Sequence, residues 1–163
     1  MGKEALVVID LQNDITKNYK TVIENVNHSI DWAVEHDVPV VYIRHENLSA
    51  GTRTFKTGTR GAELVPDLKV ASDHVFTKYK GNALTSEAFS AFIEQYEVET
   101  FYITGADAIA CVKSTCYNMR KANYDVQVLS DCITSYDQKK IAEMIQYYEG
   151  KGCKIIRVED LPA

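Results

Sequence analysis

The stretch "VETFYITGADAIACVKST" (98–115) holds the features on which the fold reading turns. Its opening residues are apolar, aromatic or β-branched, and they suit a strand buried on both faces. Gly105 then breaks the pattern, and a helix is predicted from about 108 to 123. A strand that passes through a glycine turn into a helix is half of a crossover between parallel strands. Cys111 stands close to where that helix must begin.

Working outward, the same alternation repeats. "ALVVID" (5–10), "VPVVYI" (38–43), "HVFTK" (74–78), "TFYITGA" (100–106), "DVQVLSD" (125–131) and "KIIRVED" (154–160) read as strands. A helix is predicted over 19–37, where Val22, Ile23, Val26, Ile30, Ala33 and Val34 recur at helical spacing. A second is predicted over 86–96, with Phe89, Phe92 and Ile93 on one face. A third is predicted over 138–152, with Gly150 or Gly152 able to end it. Short apolar strands alternating with helices predict a doubly wound α/β fold, a mostly parallel sheet covered on both faces. The polar, glycine-bearing run 44–73 is the longest irregular piece and a candidate lid.

Bulk properties narrow the function. At 163 residues the chain suits a single domain, 1–163, with a sizeable core. A net charge of -5 speaks against a nucleic-acid partner. No apolar run is long enough to span a membrane. The first apolar run is short and stops at Asp10, unlike a secretory leader, so a cytoplasmic location is expected. The four cysteines, Cys111, Cys116, Cys132 and Cys153, form no CxxC pair and have no zinc spacing with histidine. They read as free thiols of a reduced compartment.

Ligands of open parallel sheets bind beyond the carboxyl ends of the strands. Asp10 ends the first strand, Lys78 the third, and Cys111 follows the fourth. Each has an ordinary reading: a turn cap, a solvated strand-end lysine, a core filler. Together they have a chemical one. A thiol at a helix start feels the positive end of the helix dipole, which favours thiolate, and an ammonium favours it further. A carboxylate in reach can take the thiol proton. Backbone N–H groups of the strand-to-helix turn can hold an oxyanion.

The segments "VVIDLQND", "FTKYKGNAL" and "GADAIACVKSTCYNMRKANYDVQVLSD", with "GTRGAELVPDL" (58–68) between them, resemble the isochorismatase-like cysteine hydrolases. That superfamily includes nicotinamidases and N-carbamoylsarcosine amidohydrolases. The resemblance implies a three-layer αβα sandwich around a six-stranded sheet. It implies Asp10 as proton acceptor, Lys78 as electrostatic support and Cys111 as nucleophile. It implies a cis peptide between Ala106 and Asp107, and an oxyanion hole from the N–H groups of Asp107 and Cys111. It implies a hydrolase acting on the C–N bond of a small amide or ureido compound through a thioester. The partners implied are a small-molecule substrate and further copies of the chain, as a dimer or tetramer.

The chain departs from the family at Ala108 and Ile109, often Thr-Asp, and at Ile15, often aromatic. With Tyr79 these are the candidate pocket residues, and the missing ring at Ile15 predicts poor activity on nicotinamide. A metal site of the nicotinamidase kind resembles Asp-x-His; here the region after strand two offers only His45. No metal and no cofactor are therefore expected, and His28, His36, His45 and His74 read as solvated or hydrogen-bonded. Cys116 lies about 140° around the helix from Cys111 and should point into packing. Two rival readings remain: a member that binds a small molecule without turnover, and a redox thiol. The absence of a resolving cysteine near Cys111 counts against the second.

Overall fold

The computed structural model describes residues 3–15, 19–48 and 54–163. Six strands form one sheet: β1 Lys3–Ile9, β2 Val40–His45, β3 Val75–Lys78, β4 Val98–Gly105, β5 Asp125–Ile133 and β6 Lys154–Ile156. Their order is β3-β2-β1-β4-β5-β6, and every neighbouring pair is parallel. The order reverses direction between β1 and β4, which makes the gap beyond their carboxyl ends the natural ligand crevice.

Four helices cover the sheet: α1 Lys20–Glu35, α2 Glu87–Tyr96, α3 Cys111–Lys121 and α4 Ile141–Gly150. Alternation along β1 sorts them into layers. Ala5, Val7 and Ile9 pack with Phe89, Phe92, Val112, Met119 and Tyr148 from α2, α3 and α4. Leu6 and Val8 pack with Val22, Val26, Ile30 and Ala33 of α1. Each strand residue thus serves one of two cores, which is why these strands read as continuous apolar runs.

Boundaries move where hydrogen bonds outvote composition. The second strand does not stop at Ile43; Arg44 and His45 continue it because β3 pairs alongside, His45 opposite Lys78. The sixth stops at Ile156 rather than running to 160. There the Val158 N–H turns to the Asp131 carboxylate and the Arg157 N–H to the Asp160 carboxylate. The third helix begins at Cys111, because the Asp107 carbonyl holds 107–110 in a turn by accepting from Ala110 and Val112.

Gly105 ends β4 at φ 117, a conformation L side chains rarely adopt. A Cβ there would lie 2.1 Å from the Ile9 carbonyl oxygen. Only glycine lets β4 turn away this close to β1. The 44–73 run is irregular as expected, though 49–53 lies outside the described residues. Its later part folds over the turn after β1: Gln12 bridges Leu64, Asn13 N–H bonds the Glu63 carbonyl, and the Asp14 carboxylate accepts from Phe55 N–H.

Candidate active site

Asp10, Lys78 and Cys111 meet beyond the carboxyl ends of β1, β3 and β4. Lys78 is 1% exposed, and its ammonium donates to Asp10 Oδ2 at 3.0 Å, His45 Nδ1 at 2.8 Å and Cys111 Sγ at 3.4 Å. An ammonium has three protons, and here each has an acceptor. A lysine this deep is tolerated only when paired. Asp10 follows β1 at φ 53, its own N–H held by the Ile43 carbonyl. Its second oxygen, Oδ1, is buried without a hydrogen-bond partner. The carboxylate, His45 and Cys111 donor atoms lie within 4.8 Å of one another. Oδ1 is therefore the spare acceptor beside the thiol.

The electrostatics overturn one expectation. Burial, and then the Asp10 carboxylate, push the Cys111 thiol up to about 12, and Lys78 only partly opposes them. Burial likewise raises Asp10, against the pull of Lys78. Burial and the Asp10 charge both favour the protonated Cys111 thiol over a preformed thiolate. The helix start and one ammonium do not outweigh desolvation and a nearby negative charge. The cysteine held low is Cys153, which accepts a hydrogen bond from Cys116. Both are buried, Cys116 in the packing between α3 and its neighbours as its helical offset predicted.

The peptide bond between Ala106 and Asp107 is cis. Asp107 is anchored through its carboxylate, which accepts from the N–H groups of Ile109 and Tyr136. The N–H groups of Asp107 and Cys111 donate to no other described group. They remain available to an oxyanion.

A cavity of about 310 Å³ opens over Cys111, walled by Asp14, Ile15, Asn47, Phe55 and Ala110. Ile15 is where the sequence reading placed it. The other three pocket candidates are elsewhere. Tyr79 is 55% exposed and does not line the cavity. Ala108 is wholly buried, its N–H on the Thr134 carbonyl and its own carbonyl accepting from Tyr148. Ile109 packs against the core under α3. Tyr79 was placed by its adjacency to Lys78, but neighbours along a strand point to opposite faces; Ala108 and Ile109 were placed by their departure from the family pattern, and here they serve the core.

His45, Asn47, Phe55 and Gln12 were missed. Gln12 bonds the His45 carbonyl and N–H from one amide, at 2.8 Å each, and also the Ala62 carbonyl. It reads in sequence as a turn residue, and only the fold brings Ala62 and His45 to it. Phe55 supplies the ring that Ile15 lacks, its centroid 6.0 Å from that of His45. The cavity thus has an aromatic wall although Ile15 is aliphatic. The spacing of Asp10, His45 and Cys111 would suit a divalent cation. Lys78, however, contacts all three, so a metal does not fit among these donors while the lysine is present.

A doubly wound parallel sheet with a buried Asp–Lys pair and a cysteine at a helix start places the chain among α/β proteins with a strand-end site. The Isochorismatase domain model matches residues 4–160, and the chain belongs to that family. A secreted isochorismatase effector of Phytophthora sojae is 29% identical over 161 residues, covering 94% of this chain and 72% of its own. Among solved structures, the N-carbamoylsarcosine amidase of Thermoplasma acidophilum superposes with a TM-score of 0.87 at 19% identity, over 99% of each chain. The pyrazinamidase/nicotinamidase of Streptococcus mutans does so at 0.85 and 16% identity, over 94% of this chain and all of its own. No helix of the described residues is long and apolar enough to cross a membrane.

Proposed function

We propose that this isochorismatase-family hydrolase cleaves the C–N bond of a small amide or ureido compound through a thioester on Cys111. The observation that carries the reading is the Lys78 ammonium bonded to both Asp10 and Cys111, with Asp10 Oδ1 left unpartnered.

The chemistry follows from the two protonation states. As the Cys111 sulfur attacks the substrate carbonyl, its proton passes to Asp10, and Lys78 stabilises the negative charge that shifts to sulfur and oxygen. The raised pKa of buried Asp10 suits it to hold that proton. The N–H groups of Asp107 and Cys111 donate to the oxyanion. Collapse expels the amine, which takes the proton from Asp10, and leaves the thioester. Water then attacks with Asp10 as base, releasing the acid and returning the thiol. A 310 Å³ cavity is at the small end of ligand sites, which run from roughly 300 Å³, so the substrate is a small molecule.

The test is ammonia or amine release from nicotinamide, pyrazinamide, aliphatic amides and ureido acids, with the acyl-enzyme sought by intact mass. Turnover with a thioester adduct on Cys111 supports the reading. Tight binding across the panel without turnover returns the binding-protein reading. The homo-oligomer implied by the resemblance is part of the proposal, and a monomer by light scattering at micromolar concentration would remove it.

A further inference from the structure

We propose that His45 is a positioning residue: as the neutral Nε2–H tautomer set by Asn47, it holds the Lys78 ammonium against Cys111 and links that ammonium to the loop bearing Phe55. The inference rests on the cysteine-hydrolase reading of the same site.

The hydrogen bonds leave one assignment. Asn47 Nδ2 donates to the Thr54 carbonyl at 2.7 Å, so the Asn47 amide oxygen faces His45. That oxygen only accepts, so His45 Nε2, 2.9 Å away, carries the proton. His45 Nδ1 is then a bare lone pair, as it must be, because the ammonium 2.8 Å from it only donates. The imidazole is fixed from both ends, and its backbone is clamped by Gln12. Without this acceptor, one N–H of a fully buried ammonium would have no partner, and the lysine would gain by moving off the sulfur.

The arrangement reaches further than one pair. Asn47 N–H bonds the Phe55 carbonyl at 2.8 Å, and the Asn47 carbonyl accepts from Thr57 N–H at 3.2 Å. The loop that walls the cavity, Asn47, His45, Lys78 and Cys111 form one continuous chain of hydrogen bonds. How that loop is seated bears on where the ammonium sits relative to the nucleophile.

Alkylation of Cys111 reads this without a substrate. Second-order rates with iodoacetamide are measured by peptide mass from pH 6 to 10 on the whole protein, its His45→Leu variant and its His45→Asn variant. Leucine removes the acceptor; asparagine keeps one in place of Nδ1. A one-unit rise in the thiol's pKa cuts the thiolate tenfold but raises its nucleophilicity about threefold, so the net rate falls about threefold. His45→Leu is expected to show that fall at every pH, and His45→Asn to stay within about 1.5-fold of the parent. A His45→Leu profile that superposes on the parent overturns the proposal, and so does a His45→Asn profile that falls with it. Should His45→Leu fail to fold by thermal melt, Asn47→Leu decides, since it leaves the imidazole but frees its tautomer. A slower rate supports the proposal and an unchanged one overturns it. Turnover that survives a flat alkylation result sinks His45 alone; a cysteine that alkylates as expected in a protein with no turnover sinks only the hydrolase reading.

Discussion

Each end of the sheet carries a cavity. At the amino ends of β1 and β2 one of about 550 Å³ is bordered by His36, Asp37, Pro39, His74 and Tyr96. At the carboxyl ends the cavity over Cys111 measures about 310 Å³. The larger one is chemically settled. His36 bonds the Trp32 carbonyl and stacks on Trp32, while His74 packs its ring on Phe92. The smaller one has an ammonium and a carboxylate that are 1% and 2% exposed, and a carboxylate oxygen with no partner. Volume follows from how side chains happen to meet at a rim. Buried, incompletely satisfied charge is costly, so it singles out the rim where the proposed chemistry is placed.

The sharpest test of that contrast is turnover. Cys111→Ala and Asp10→Asn are each expected to lower kcat by about 10³-fold or more, the scale for removing a nucleophile or its base. His74→Ala, in the larger cavity, is expected to stay within about twofold, since it touches no reacting group. Comparable losses at both rims would break the comparison.

The backbone offers the next test. Gly105→Ala puts a Cβ 2.1 Å from the Ile9 carbonyl at the reactive rim, and a loss of about 3 kcal/mol or more in denaturant unfolding is expected. Asp37, at the opposite rim, already has a φ of 56 with an ordinary side chain, so Asp37→Gly should change stability by less than about 1 kcal/mol. A mild Gly105→Ala would mean that β4 can leave the sheet by another route.

The same two rims show what the sequence could and could not reveal. Strand runs, helix faces and the Asp10, Lys78 and Cys111 positions were legible because each depends on local pattern or on a strand end. His45 was not, because its importance comes from β2 continuing past the apolar run to pair with β3, a non-local event. Phe55 and Gln12 were hidden for the same reason: a loop residue becomes a cavity wall only when Asp14, Asn47 and Gly61 seat the loop. Gly61 leaves room for the Asp14 carboxylate, which a Cβ there would meet at 1.9 Å and push aside. The state of the Cys111 proton was misjudged because burial and the Asp10 charge cannot be weighed before the fold is known.

That proton supplies the third test, and its sign is distinctive. The Cys111 pKa is raised to about 12, so its alkylation rate should keep climbing above pH 9, where an ordinary thiol levels off. Asp10→Asn removes a charge that raises the thiol's pKa, so more thiolate is present at pH 7.5. After the offset in nucleophilicity, alkylation should still be faster, by about threefold for each unit the pKa falls. The substitution that destroys turnover thus accelerates simple alkylation. Slower alkylation in Asp10→Asn would show that the carboxylate generates the thiolate at rest, and the thiol–carboxylate description would fail.

The smallest effect concerns which compounds the reactive rim accepts. Phe55 comes from the loop between β2 and β3, lines the cavity beside His45, and is the aromatic wall that Ile15 does not provide. An aromatic contact contributes about 0.5–1.5 kcal/mol beyond buried area, which is about two- to twelvefold in affinity. Phe55→Leu keeps an apolar wall and removes the ring. It is therefore expected to raise KM for pyrazinamide or nicotinamide by that factor with kcat little changed, because the ring touches the bound substrate before and after the attack alike. KM for an aliphatic amide such as butyramide should stay within about twofold, having no ring to stack. Equal losses for both substrates would mean that the Phe55 side chain only shapes the cavity wall, and that ring recognition is done elsewhere.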